Sequence, residues 1–157
     1  FTGDNGTDEL VYSYQDGRLV QGGKNTMRET GINMPFIVRW PGHVAPNSIT
    51  DELIDFTDII PTCSEIIGGS IPESAELQGN SFYNILHGGE SNRNWIYSQF
   101  SHKWAVRDKR WKLNHNNKLF DLEMDPQEEN GILSSDDDNE TAARRTILQG
   151  YYDELVN

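Results

Sequence analysis

Cysteine is nearly absent: Cys63 stands alone among 157 residues, which excludes an internal disulfide framework and any zinc site built on several thiolates. No apolar run reaches the roughly 18 residues that a membrane-spanning helix needs, and the N-terminus lacks the basic-then-apolar design of a secretory signal. Positive charge is also scarce. Lys plus Arg number 13 against 25 Asp plus Glu, a formal charge of −12, which argues against nucleic acid or an anionic membrane surface as the main partner. Hydrophobic residues make up 35% of the chain, enough for the core of one ordinary domain or of a modest piece of a larger one.

The acidity is concentrated at one end: residues 121–157 carry 11 acidic and two basic side chains, residues 1–120 carry 14 and 11. The run Asp136-Asp137-Asp138-Asn139-Glu140 lacks the alternating ligands and central glycine of an EF-hand loop. It reads as a solvated loop leading into a helix. That helix, about Asn139 to Val156, places Ala143, Ile147, Leu148, Tyr151, Tyr152 and Leu155 on one face, with Gly150 weakening it by about 1 kcal/mol. Before it, residues 95–100, 104–107, 110–114 and 118–122 are short segments rich in aromatic and β-favouring side chains. Asp108-Lys109 and Asn116-Asn117 punctuate them like hairpin turns, which describes an antiparallel meander. A helix packed on the meander buries both apolar faces.

The first half reads differently. Residues 34–40 form a nearly continuous apolar run closed by Pro41-Gly42, as expected of a strand covered on both faces in an α/β sheet. Residues 58–67 carry Ile59, Ile60, Cys63, Ile66 and Ile67 at helical spacing, with Asp58 as cap, Pro61 in the first turn and Gly68-Gly69 as terminators. Cys63 on that face reads as a buried core residue. A shorter helix is expected over residues 81–87, stopped by Gly88. The abrupt start at Phe1 reads as the end of a strand whose beginning lies upstream, so the chain is expected to be a fragment.

Asp4-Asn5 offers a carboxylate and an amide oxygen, hard ligands suited to calcium or magnesium. Both reach one ion only if the backbone turns there, which Gly3 and Gly6 permit. Asn5-Gly6 is equally a hairpin-turn signal, and the hexapeptide alone does not decide between the two. Further along stand Gly22-Gly23-Lys24 and then Arg28-Glu29-Thr30-Gly31-Ile32-Asn33-Met34-Pro35-Phe36-Ile37-Val38-Arg39-Trp40-Pro41-Gly42. With Phe1-Thr2-Gly3-Asp4-Asn5-Gly6, this string resembles the latter half of the sulfatase family, within the alkaline-phosphatase-like superfamily. The family's Glu-Gly-Gly segment appears here with Thr30 in place of its first glycine. The resemblance continues through Asp58-Ile59-Ile60-Pro61-Thr62, Ala105-Val106-Arg107 with Trp111-Lys112-Leu113, and Leu119-Phe120-Asp121-Leu122 with the turn Asp125-Pro126-Gln127-Glu128-Glu129-Asn130. In this order and spacing the phrases are specific for the family, though not for a substrate.

The resemblance implies an α/β fold. Residues 1–94 would be the C-terminal part of an alkaline-phosphatase-like, mostly parallel sheet domain, and residues 95–157 a small antiparallel sheet packed with a C-terminal helix. It implies hydrolysis of an aryl or carbohydrate sulfate monoester, with Asp4 and Asn5 as ligands of a divalent cation, calcium or alternatively magnesium. Lys24 would contact the sulfate, stabilise charge developing on its oxygens and assist the leaving oxygen as a general acid. His43, after the expected strand, and His102 with Lys103, before the Trp104 strand, are candidate substrate contacts, although the plainer reading of each is a surface-loop residue. Arg28 and Glu29 are expected to form a structural pair that positions the Lys24 loop, and Asp58 to act as a helix cap.

The family's nucleophile is a formylglycine made from a Cys/Ser-x-Pro-x-Arg motif, and an Asp-Asp pair near the family's N-terminus supplies its other cation ligands. Residues 1–157 contain neither, so the chain alone is expected to be inert and to need the missing N-terminal portion as its partner. By resemblance the complete protein is periplasmic or secreted. The rival readings are a phosphatase, phosphodiesterase or phosphonate hydrolase of the same superfamily, and a non-catalytic interaction domain.

Overall fold

The computed structural model describes residues 1–15 and 17–156. The chain falls into two compact units, one of Phe1–Ile37 with Tyr97–Asn157 and one of Val38–Ile96.

The first unit opens with an antiparallel hairpin that the sequence reading passed over, β1 (Tyr12–Gln15) and β2 (Arg18–Gln21), in which Tyr12 faces Gln21 and Gln15 faces Arg18. Gly17 adopts φ +78, a left-handed conformation that costs glycine nothing. The one-turn helix α1 (Glu29–Ile32) follows. The meander is present as β3 (Ile96–Phe100), β4 (Lys103–Arg107), β5 (Trp111–Asn114) and β6 (Leu119–Asp121), ordered β3-β4-β5-β6. Val106 pairs with Leu113 and Leu113 with Leu119, so these three share one face by the two-residue period of a strand, and all are fully buried. Arg107 pairs with Lys112 and Lys112 with Phe120, which puts two cations on the opposite face.

The long helix α4 (Asn139–Val156) packs against β4 and β5. Its inward face is Thr141, Arg145 and Leu148, with Tyr152 stacked on Trp104 at 4.0 Å between ring centroids. The expected face is therefore rotated: Ala143 and Ile147 are exposed, because Arg145 takes an inward position that apolar periodicity assigns to an aliphatic residue. Its guanidinium donates to Asp137 Oδ2 at 2.7 Å and Oδ1 at 2.9 Å, to the Asn117 carbonyl at 2.6 Å and to the Ile132 carbonyl at 3.0 Å. The acidic run is thus only partly a solvated loop. Asp138 caps α4, accepting from the Thr141 N–H at 2.8 Å while its own N–H donates to Thr141 Oγ1 at 2.8 Å. Asp138→Ala is expected to lower stability by removing this cap, read as a lower urea midpoint.

Three carboxyls of this unit titrate below their ordinary value of 3.8: Asp121 through its hydrogen bonds from Arg110, Asp137 through those from Arg145, and Asp138 through the Thr141 backbone and hydroxyl. A carboxyl depressed in the folded state contributes stability above its unfolded pKa and loses it as pH falls through the folded one. Stability of the unit is therefore expected to be flat above about pH 5 and to fall below about 4, and an acid titration followed by circular dichroism checks it.

In the second unit a 3-10 turn (Phe56–Asp58) runs into α2 (Ile59–Ile66), and α3 (Tyr83–Leu86) ends at Gly88, φ +81. Asp58 is 1% exposed, but it does not cap α2 through its side chain. Its carboxylate instead accepts from the Asp55 N–H at 2.8 Å and the Asn80 N–H at 2.7 Å, and forms an ion pair with Arg93. Cys63 is exposed rather than buried, and with Ile60 at 61% and Ile67 at 81% exposure it leaves the apolar face of α2 uncovered within these residues. The inward residues are Pro61 and Thr62; the Thr62 hydroxyl accepts from the Phe82 N–H at 2.9 Å and donates to the Asp58 carbonyl at 2.7 Å. The expected strand over residues 34–40 makes only the antiparallel bridge Thr2–Phe36 among the described residues, since a strand needs neighbours and only the Phe1–Thr2 segment lies beside it.

Candidate functional site

Glycine packing draws three separate segments together in the first unit. The Gly6 N–H donates to the Gly31 carbonyl at 2.9 Å, and the Lys24 N–H donates to the Thr7 carbonyl at 3.0 Å. A Cβ on Gly6 would lie 1.9 Å from the Thr30 carbonyl oxygen, one on Gly23 2.3 Å from Thr30 Oγ1, and one on Gly31 2.2 Å from the Gly23 carbonyl oxygen. None of these positions admits a side chain without moving backbone. Asn5 and Lys24 each stand one residue from a glycine packed on the same Thr30–Gly31 stretch, and Lys24 bonds Thr7, two residues beyond Asn5.

Asp4, Asn5 and Lys24 are all exposed. The Asp4 carboxylate accepts from the Asn5 N–H at 3.0 Å, and the Lys24 ammonium has no hydrogen-bond or ion-pair partner among the described residues. The loop behind Lys24 is braced by Thr26, whose N–H and hydroxyl both donate to the Gly23 carbonyl, at 2.9 and 2.6 Å. Asn25 takes φ +66, and Lys103 at the start of β4 donates to its carbonyl at 3.4 Å. The turn that carries exposed His102 therefore lies beside the Lys24 loop, with the His102 ring 6.2 Å from that of His115.

His43 belongs to the second unit, where it is exposed and stacks on Trp40 at 4.0 Å. The His87 ring lies 6.5 Å away and is held by a contact of 3.0 Å between its Nδ1 and the Tyr83 carbonyl. The two histidines border a cavity of about 300 Å³ with Ser48, Ile49, Thr50 and Leu86. His87 carries no sequence signal of its own and reads only as the end of a short helix.

Glu29 does not pair with Arg28. Its carboxylate bonds Arg107 and the Lys112 ammonium, the latter at 3.1 Å, and Lys112 also reaches Glu128 at 2.8 Å. A lysine inside a strand pattern gives no sequence sign of such burial, and these partners lie 78 and 83 residues from Glu29.

As a cation site, Asp4 and Asn5 have the right donor chemistry, two hard oxygen ligands, but calcium takes six to eight. No group of three or more His, Cys, Asp or Glu that could hold a metal occurs among the described residues. The pair fits as part of a shared ligand set, not as a complete site.

An antiparallel four-stranded sheet backed by a C-terminal helix is consistent with the C-terminal subdomain of a sulfatase. Residues 21–149 match the family model described as N-sulphoglucosamine sulphohydrolase, C-terminal, and the chain belongs to that family. It is 35% identical to an ulvan-active sulfatase of Formosa agariphila over 70% of this chain and 24% of that protein. It is 29% identical to arylsulfatase A of Bos taurus over 95% of this chain and 36% of that protein. The structure of BT4656, solved with its substrate D-glucosamine-2-N,6-O-disulfate, superposes with a TM-score of 0.70 at 24% identity, covering 82% of this chain and 29% of that one. The chain thus spans about a quarter to about a third of the length of these relatives.

Proposed function

We propose that this chain is the C-terminal portion of a sulfate-monoester hydrolase and supplies three of its contacting groups, Asp4 and Asn5 to a divalent cation and Lys24 to the sulfate. The observation that carries the reading is that Gly6 and Gly23 both pack on the Thr30–Gly31 backbone while the Lys24 N–H bonds the Thr7 carbonyl, with the Lys24 ammonium unpaired among the described residues. An exposed lysine on a glycine-locked loop is a fixed cation awaiting an anion, and membership of a sulfatase family names the anion. The cation, calcium or alternatively magnesium, would neutralise charge on the sulfate oxygens. Asp4 and Asn5 hold their part of its ligand set, while the remaining ligands and the formylglycine nucleophile come from the N-terminal portion.

Lys24 binds and orients the sulfate and offers a proton near the leaving oxygen. The substrate is an aryl or carbohydrate sulfate, and His102, beside the Lys24 loop, is a candidate contact for the part of the substrate beyond the sulfate. The complete protein would work in a periplasmic or extracellular compartment.

Turnover of matched aryl sulfate and aryl phosphate by the full-length protein tests this reading, with sulfated sugars as a third substrate. Faster sulfate cleavage is expected. Faster phosphate cleavage would assign the protein to phosphoryl transfer, and turnover of none of the three would leave an interaction domain. The isolated 157-residue chain is expected to cleave neither ester.

A further inference from the structure

Beneath the Lys24 loop lies a cluster of four charges whose two signs balance. Lys112, in the middle of the sheet, is 0% exposed, and an ammonium so placed persists only with close carboxylates. It has two: Glu29 Oε1 at 3.1 Å and Glu128 Oε1 at 2.8 Å. The second oxygen of Glu29 bonds Arg107 and also accepts from Asn33 Nδ2 at 3.0 Å. The second oxygen of Glu128 accepts from the Glu29 N–H at 2.5 Å. Glu128 itself sits at φ +56, inside the turn where Asp125 accepts from the N–H groups of Glu129 and Asn130 at 3.0 and 2.7 Å. Glu29 is therefore tied by side chain and backbone to β4, β5 and the 125–130 turn.

What Glu29 carries is α1, and α1 carries Gly31, whose backbone is packed onto the Gly23 carbonyl next to Lys24. The path from the buried charges to the candidate sulfate contact runs through contacts too close to slide: Glu29 to Gly31 within one helical turn, Gly31 onto Gly23, and Gly23 to Lys24. We infer that Glu29, clamped by Arg107 and Lys112, is a positioning residue for Lys24, so that the C-terminal sheet sets the place of the ammonium without touching substrate. This rests on the reading of Lys24 as the sulfate contact.

A double-mutant cycle in the full-length protein tests it, with Glu29→Gln made alone, with Lys24→Ala, and against both parents. Glu29→Gln alone is expected to lower kcat for an aryl sulfate about tenfold through displacement of the ammonium, with KM changed much less. In the Lys24→Ala background its penalty is expected to shrink below about threefold, because nothing is left to position. A penalty of threefold or more persisting in that background, or none in the parent, overturns the inference while leaving the Lys24 reading intact. If Lys24→Ala alone costs no activity, both readings fall together. Should Glu29→Gln not give folded protein, Arg107→Lys, at the half-buried edge of the cluster, carries the same cycle with the same outcomes.

Discussion

Replacing Lys24 with alanine in the full-length protein is expected to lower kcat/KM for a sulfate monoester by about 100- to 1000-fold, the usual cost of losing one preorganised group aimed at developing charge. The size follows from the surroundings of the side chain. Its ammonium has no carboxylate partner among the described residues, so none of these groups spends its charge before an anion arrives. The loop is fixed by the doubled bond from Thr26 to Gly23, so little reorganisation accompanies binding. A series of aryl sulfates separates the two roles of the lysine. If Lys24 only neutralises the sulfate oxygens, the loss is the same for every leaving group. If it also delivers a proton to the leaving oxygen, the loss grows as the leaving group worsens. Lys24→Arg keeps the charge but not the point geometry of the ammonium, and is expected to recover only part of the rate. A Lys24→Ala enzyme within threefold of the parent would remove the lysine from the chemistry.

The meander and α4 were legible because their signals are local: aromatic and β-branched segments between Asx-rich turns, and a long run at helical period. The identity of α4's inward face was not, because Arg145 occupies a core position that only the carbonyls of Asn117 and Ile132 and the carboxylate of Asp137 make habitable. Lys112 shows the same limit. Periodicity marks a strand lysine as a solvent-facing residue, and only carboxylates brought from residues 29 and 128 reverse that. The segments carrying Asp4, Asn5 and Lys24 could be picked out from their order and spacing, while their common packing on Thr30–Gly31 depends on Gly6, Gly23 and Gly31 approaching within distances no side chain allows. The apolar stripe of α2 is legible in the sequence but its cover is not, since a stripe records what a helix needs, not whether the same 157 residues supply it. Cys63 follows from that: it shares the stripe, and its exposure is that of Ile60 and Ile67 beside it.

The largest loss of stability is expected from Asp58→Ala, about 3–5 kcal/mol, the range for stripping one partner from a buried ion pair. Asp58 is 1% exposed and the Arg93 side chain 10%, so the guanidinium left behind keeps little access to water. Among the described residues Arg93 keeps the Trp95 carbonyl at 3.3 Å and the Thr57 hydroxyl at 3.5 Å, contacts too long to replace a carboxylate. Two backbone donors are orphaned as well, the N–H groups of Asp55 and Asn80, each costing about 1–3 kcal/mol if water cannot reach it. Asn80 and Asp55 lie on either side of α2 in sequence, so the same carboxylate closes the loop that follows α2 onto the turn that precedes it. Urea unfolding of the whole chain, with hydrogen exchange at the Asn80 amide, measures both effects. Adding Arg93→Met to Asp58→Ala is expected to restore part of the loss, because removing both charges leaves no unpaired one to bury. A single-mutant cost below about 1 kcal/mol, the size of a surface pair, would mean that Asp58 is not the hub of this unit; so would a double mutant less stable than the sum of the two.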